Sequence, residues 1–360
     1  MISDEKMPGP TAVRGRLAEQ RRRKTLASGL KAFLRAVAVW LLLLAGVMFA
    51  PWWAKIPLAL LNGAVIGTLF IVGHDAGHGS LFPKRWMNRL AGRISLLPAL
   101  HPFSAWVHNH KGLHHAFTNI KEKDPGFPPL DPTEYAALSR LGRWLYRIKR
   151  TWYGLGLLYF LDMWVKWEVF PTAARAPRNP RAFLRDRLLV LAFAIAWIGS
   201  LVASAFWLGE NPFLMVLVGF VLPQATWNWF IGFMILLQHT HPLVPWYSEL
   251  DSPSPHYFQN QVRATPHLIF PRAFRGIVRS IMEHTAHHAD PAVPHYELES
   301  AQTEIETAYP TDVIVQTWNL RDFLSTLRTC RLYDYATHRW LDYDGTPLTG
   351  SLHGAKPTAN

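Results

Sequence analysis

Four stretches of the chain carry no charged residue and no histidine: residues 36–53, 56–73, 188–208 and 212–237. Each comes close to the ~20 apolar residues that take a helix across a bilayer. Uncharged runs of that length distinguish membrane spans from the buried helices of soluble domains. The runs pair through short polar links, Ala54-Lys55 in the first pair and Gly209-Glu210-Asn211 in the second. The pattern predicts an all-α integral membrane protein with four transmembrane helices in two hairpins. Pro223, Gln224 and Asn228 interrupt the last run, so part of it is expected to kink or to face protein. Residues 152–170 are aromatic but contain Asp162, Lys166 and Glu168, which predicts a helix lying in the interface. Residues 94–107 are apolar but too short to span, so a re-entrant or interfacial segment is expected. Pro-rich turns are expected at 124–133 and 171–180, and disorder beyond about residue 345. The chain divides into a basic N-terminal segment (1–35), a membrane domain (36–300) and a C-terminal segment (301–360).

Charge orients these elements. Lys and Arg number 37 against 25 Asp and Glu, a formal net charge of +12. That excess alone suggests nucleic acid or an anionic membrane surface. Only Lys55 among the cations lies in the spans or their links. Arg21, Arg22, Arg23, Lys24, Lys31 and Arg35 precede the first span, Lys84, Arg85, Arg89 and Arg93 follow the second, and Arg181, Arg185 and Arg187 precede the third. By the positive-inside rule both termini and the 74–187 loop are cytoplasmic. The excess charge is then a skirt against anionic lipid, and no nucleic-acid partner is implied. The single cysteine, Cys330, excludes an internal disulfide and a Cys-based zinc site. The polar, Arg-rich start and the long run after it do not fit a cleavable signal.

Eleven of the 17 histidines fall in four short stretches, all at the ends of spans or loops assigned to the cytoplasmic side. They are His74/His78, His108/His110/His114/His115, His239/His241 and His284/His287/His288. Residues four apart on a helix share a face, about 5–6 Å apart at Cβ. His74 and His78 can therefore aim at one metal. On the same α-helical phasing His110 pairs with His114 and His284 with His287, while the adjacent His115 and His288 reach a second, neighbouring ion. Two metals served by paired histidines is the simplest geometry for this count. Imidazole suits Zn, Cu, Fe and Ni alike. Zinc needs only four ligands, and the Glu plus Glu-x-x-His pattern of soluble di-iron proteins is absent. Redox iron is compatible with the pattern without being required by it.

These clusters resemble the three histidine boxes of the membrane-bound fatty acid desaturase superfamily. His74/His78, His110/His114/His115 and His284/His287/His288 match them in order, spacing and relation to the spans. The stretch Leu237-Gln238-His239-Thr240-His241-Pro242, and Pro294-His295-Tyr296 after the last box, look like the acyl-lipid Δ12 (ω-6) branch. The resemblance covers residues 30 to 300 or so. It implies a four-helix bundle whose cytosolic helical cap holds two iron ions on nine histidines. The boxes supply eight and His239 is assigned as the ninth, with His241 its rival. Lys111 departs from the commoner second-box spacing, so His110 opens the box and His108 is a further alternate. Asp75, Glu283 and Asp290 can each accept a ring N–H and orient a ligand. His101, His256, His267 and His295 stand alone and read as structural. Trp106, Trp227 and Trp229 read as interfacial anchors or as lining of an acyl tunnel.

The resemblance further implies O2-dependent insertion of a cis double bond into a fatty acyl chain of a membrane lipid. Taking hydrogen from an unactivated methylene needs an oxidant that no side chain supplies. The chain lacks a His-Pro-Gly-Gly haem signature, a cysteine cluster and a G-x-G-x-x-G loop. A separate electron donor, of ferredoxin or cytochrome b5 type, is therefore expected on the basic cytoplasmic face. The acyl carrier stays open. A hydroxylase or ketolase of the same superfamily, acting on an alkane or other lipid, is the first alternative. A non-enzymatic metal transporter is the second, although it would want ionisable ligands at mid-bilayer where these spans have none.

Overall fold

The computed structural model describes residues 7–172, 176–250 and 255–352. Its frame is four long apolar helices: α1 (Leu26–Phe49), α2 (Trp52–His78), α3 (Pro180–Leu208) and α4 (Pro212–His239). They run 24, 27, 29 and 28 residues. At about 1.5 Å per residue all four exceed the ~30 Å hydrocarbon thickness of a bilayer. The first two do so because they extend past their uncharged runs. α2 continues through His74 to His78, and α1 and α3 begin among their flanking cations. The charges that bound the expected spans are thus carried on the helices themselves.

Local chemistry explains the ends. Thr25 caps α1 by accepting from the Ser28 backbone N–H, and Asn179 caps α3 through Ala182 with Pro180 in the first turn. The first link lies at Ala50–Pro51, not at Ala54-Lys55. Pro51 has no N–H to continue α1, and the residue before a proline is driven out of the helical region; Ala50 sits at φ −73°, ψ 159°. Lys55 therefore lies inside α2, fully buried. Its Nζ donates to the Val47 and Met48 carbonyls at 3.0 and 2.8 Å and pairs with Glu210 at 3.1 Å. In α4 a π-turn over Leu217–Val221 immediately precedes Pro223, whose missing N–H leaves a gap in the ladder. Gln224 donates to the Pro98 carbonyl at 2.7 Å, so this part of the span faces protein.

α2 is the axis of the bundle. In its most apolar window 61% of residues are buried, against 22% for α1 and for α3. The latter two turn Leu34, Leu42, Leu191 and Ile195 outward, as a lipid-facing surface would. α2 and α4 approach so closely that a Cβ at Gly63 would fall 2.6 Å from Thr226 Cβ and 2.7 Å from the Pro223 carbonyl. Residues 155–169 pack on α4 as a short helix (Leu155–Leu158) running into a π-helix (Tyr159–Val169). The hydrophobic core runs without a break from Val13 to Phe323, across residue 300.

Two small sheets complete the C-terminal part. β1 (His267–Ile269) pairs in parallel with β2 (Val315–Thr317), and β3 (Leu332–Asp334) pairs antiparallel with β4 (Arg339–Leu341). Order extends past residue 345, contrary to the expectation of a loose tail. Leu348 and Leu352 donate backbone N–H to the Trp340 and His338 carbonyls at 2.8 Å. Leu352 packs with Trp246, Tyr333 and Trp340, and that apolar contact fixes the segment. Residues 353–360 and part of the 171–180 turn lie outside the described residues.

Candidate metal centre

The histidines come from five places: the last turns of α2, a π-helix at His108–His114, the end of α4, and α5 (His284–Ala289), with His115 just past the π-helix. Two groups form. His74, His78, His110, His115 and His287 make one, and His114, His239, His284 and His288 the other. Within each, the ligand atoms all lie within 4.8 Å of one another. The groups touch: the His115 and His288 rings stack with centroids 4.3 Å apart, and the His110 and His114 ring centroids lie 5.3 Å apart.

The pairing differs from α-helical phasing. His110 shares its group with His115, not His114, because the π-helix has i→i+5 hydrogen bonds and so brings residues five apart onto one face. In α5 it is His284 and His288, one α-turn apart, that share a group, and His287 that crosses to the other. His74 and His78 fall in the same group. Gly77 lies between them, against Trp106; a Cβ there would fall 2.2 Å from the indole ring.

The Nε2 atoms converge. His74 and His287 face each other at 3.1 Å, His110 and His115 at 3.1 Å, His115 and His287 at 3.0 Å, and His239 and His284 at 2.8 Å. A neutral imidazole offers one donor and one acceptor, so rings crowded in this way cannot all satisfy one another. The Nε2 atoms of His78 and His288 are buried with no hydrogen-bond partner. Burial, with the positive charge of neighbouring rings second, holds His110, His115, His284 and His288 well below the ordinary histidine range. His287 is lowered too, chiefly by burial. Neutral imidazole is the form that binds metal. No carboxylate belongs to either group. The donor set fits two cations, one on five nitrogens and one on four.

Outer partners fix several rings. Asp124 accepts from His114 Nδ1 at 2.7 Å and is itself held by the backbone N–H groups of Asn119 and Gly126 at 2.7 and 2.8 Å. Gln261 Oε1 accepts from His288 Nδ1 at 2.9 Å, and its Nε2 donates to the His115 carbonyl at 3.1 Å. In both cases Nε2 is left as the acceptor. Asp75 stands 3.3 Å from His74 Nδ1 but is taken up mainly by His295, whose backbone N–H and Nδ1 both reach it at 2.7 Å. Glu283 and Asp290 orient no ring. Both Glu283 oxygens are buried without a hydrogen bond, and Asp290 accepts from Ala292 and pairs with Arg21 at 3.3 Å. His108 and His241 stand outside both groups, and His241 Nε2 meets Gln316 Oε1 at 3.1 Å. Asp124, Gln261 and the Asp75–His295 link are absent from the sequence reading. The partners lie 10, 27 and 220 residues apart in the chain, and only an acid or amide in a loop marks them.

An apolar cavity opens beside the histidines. Phe70, Ile71, Met163, Trp167, Ile231 and Met234 form its wall, and His74, His110, His114, His239 and His284 its polar end. Trp106 lines it, while Trp227 packs behind Phe70 and Trp229 stacks on Phe233. The segment expected to lie in the interface therefore supplies a wall. Glu168 on that wall accepts from Asn109 Nδ2 at 3.0 Å, and burial pushes its carboxyl up to about 8. Behind Tyr159, His101 donates Nδ1–H to the Ala99 carbonyl at 2.6 Å and accepts the Tyr159 hydroxyl proton at 2.6 Å; burial lowers it to about 4.

Comparison with known proteins gives the same picture from another direction. The family model described as Fatty acid desaturase matches residues 50–319. A sn-1 oleoyl-lipid 12-desaturase of Picosynechococcus sp. is 27% identical over 303 residues, covering 82% of this chain and 81% of the relative. Another from Anabaena variabilis is 26% identical over 325 residues, 88% and 86% of the two chains. A chloroplastic omega-6 fatty acid desaturase of Arabidopsis thaliana is 25% identical over 317 residues, 85% of this chain and 65% of that one.

Proposed function

This chain belongs to the fatty acid desaturase family, and we propose that it places a cis double bond at the 12 position of an oleoyl group in a membrane lipid, with two iron ions held by the nine histidines, O2 as co-substrate and electrons from a separate donor. It is a multi-pass membrane protein and an oxidoreductase. The observation that carries the finer reading is the convergence of nine imidazoles, most of them buried, five of which form the polar end of an apolar cavity. The names of the relatives support the substrate and position.

Each group of residues has a task. The His74–His287 and His114–His284 sets hold the cations, and Asp124, Gln261 and Asp75 turn their rings. Iron held there supplies the one-electron oxidising steps with O2 that no side chain provides. Phe70, Ile71, Met163 and Met234 offer an acyl chain a dry wall and fix which carbons face the histidines. Glu168, neutral at pH 7 on its raised pKa, puts no charge into that wall. The cationic segments gather at the histidine end, which supports a cytoplasmic metal site and termini, and a basic surface there suits an acidic donor such as ferredoxin or a cytochrome b5 type protein.

The test is expression in a host that makes monounsaturated but not diunsaturated acyl chains, with a reduced donor supplied and lipids profiled by mass spectrometry. The expected product has lost two hydrogens, with the new bond at position 12. Gain of one oxygen would make the chain a hydroxylase. Iron binding with an unchanged lipid profile would remove the enzymatic reading altogether.

A further inference from the structure

A second cavity, of about 850 Å³, lies against the other side of α2. Its rim is basic: Arg35 comes from α1, and Arg272, Arg275 and Arg279 from the segment that leads into α5. Its floor is apolar, made by Ala36, Val39 and Val65, which belong to the uncharged runs of α1 and α2. Arg35 is the last cation before that run begins. The groove thus spans the level at which polar surface gives way to bilayer.

The guanidinium groups are under-used. Among the described residues, Arg35 and Arg272 have no hydrogen bond or ion pair. Arg279 Nε is buried without a partner, and its Nη2 reaches only the Ala32 carbonyl at 3.5 Å. Burial and the nearby Arg35 both lower the Arg279 pKa. Arg275 Nε is likewise unpartnered, and its Nη1 stands 3.8 and 3.7 Å from Glu283 and Glu299. The lining carboxylate, Glu299, also accepts from Ser280 Oγ at 3.0 Å. Arg279 and Ser280 sit at φ 49° and 55°, a left-handed backbone that non-glycine residues seldom adopt. Thr68 of α2 pins this segment by donating to the Ile277 carbonyl at 2.8 Å. Four arginines held together, two with buried orphan donors, leave a site short of negative charge.

We propose that this groove binds the phosphate group of an anionic membrane lipid, with the guanidinium rim on the phosphate and the Val39–Val65 floor under the acyl chains. Arginine forks match phosphate oxygens in pairs, and basic pockets at the membrane surface select anionic headgroups. The site is separate from the substrate cavity. At about 100° per residue, Val65 and Thr68 lie on one side of α2 and Phe70 and His74 on the opposite side. The bound lipid braces the 272–280 segment that positions Glu283 and α5.

The experiment uses the full chain in phosphatidylcholine nanodiscs, with and without a minor fraction of phosphatidylglycerol, read by thermal unfolding and by native mass spectrometry of retained lipid. Phosphatidylglycerol is expected to raise the unfolding temperature and to remain bound. The double variant Arg35→Gln/Arg272→Gln, at two exposed positions that folding tolerates, is expected to retain it about ten-fold less well. Arg279→Gln is the second variant. The control Arg85→Gln/Arg89→Gln removes equal charge outside the groove and should behave as the unaltered chain. Inorganic phosphate that reproduces the shift, and loses it in the groove variants, would identify the ligand as the free anion. Equal responses from the groove variants and the unaltered chain, equal loss in the control, or no response to phosphatidylglycerol in the unaltered chain would each overturn the site.

Discussion

The two ends of the helix bundle bury polar groups in opposite ways. At the loop end Lys55 is fully buried yet complete: two carbonyls at the end of α1 and Glu210 from the second link satisfy its ammonium. At the histidine end nine imidazoles are packed with their Nε2 atoms toward one another, and most cannot be satisfied from within the chain. A helix end can be closed by one long side chain. On the proposed function, a site built to receive cations is left unsatisfied by its own protein atoms, and the cations would be part of what stabilises it.

The sharpest way to break this contrast is to remove a ligand from each histidine group. His114→Ala or His287→Ala should abolish lipid product, a loss beyond the ~100-fold that even an outer partner can cost, and should lower the iron content while membrane insertion persists. Product from either variant would remove that residue from the site. At the other end, Lys55→Met should cost about 2–4 kcal/mol of stability, since it uncaps two carbonyls and leaves Glu210 alone. Iron content per folded molecule should be unchanged. A loss of iron would show that the ends are coupled.

Within the histidine end the outer partners should rank by geometry. Asp124→Asn should weaken metal binding by about 10- to 100-fold, read by chelator competition, because Asp124 holds His114 at 2.7 Å. Asp75→Asn should cost less in the same assay, because Asp75 stands 3.3 Å from His74 and is committed to His295. The smallest effect is on pH dependence. Five rings outside the spans have pKa values below the ordinary 6.5. The unfolded chain therefore binds more protons than the folded one as pH falls through 6.5, and stability is lost on the acid side. The metal-stripped protein should unfold at lower temperature at pH 5.5 than at pH 7.5, and the iron-loaded protein should show the smaller shift near neutrality. A flat profile in the stripped protein would mean that the rings are not held neutral.

Much of this was legible in one dimension. Hydropathy is a local property, so uncharged runs of sufficient length announced α1 to α4, and the placement of cations and histidines announced which ends carry the chemistry. The nine histidines that converge were recognisable as clusters because several recur within a few residues of each other. The helix limits were less legible, since Pro51 and the caps, not the last charge, end a helix. Three-dimensional packing alone decided the rest. A π-helix that pairs His110 with His115 depends on how the His108–His114 segment fits against its neighbours, and α-helical spacing misassigned it. Asp124, Gln261, His295 and Glu168 owe their places to contacts with rings, backbone or cavity contributed by other segments. The reason is physical: periodicity and charge are written residue by residue along the chain, whereas a buried hydrogen bond between distant segments exists only once the fold has closed around it.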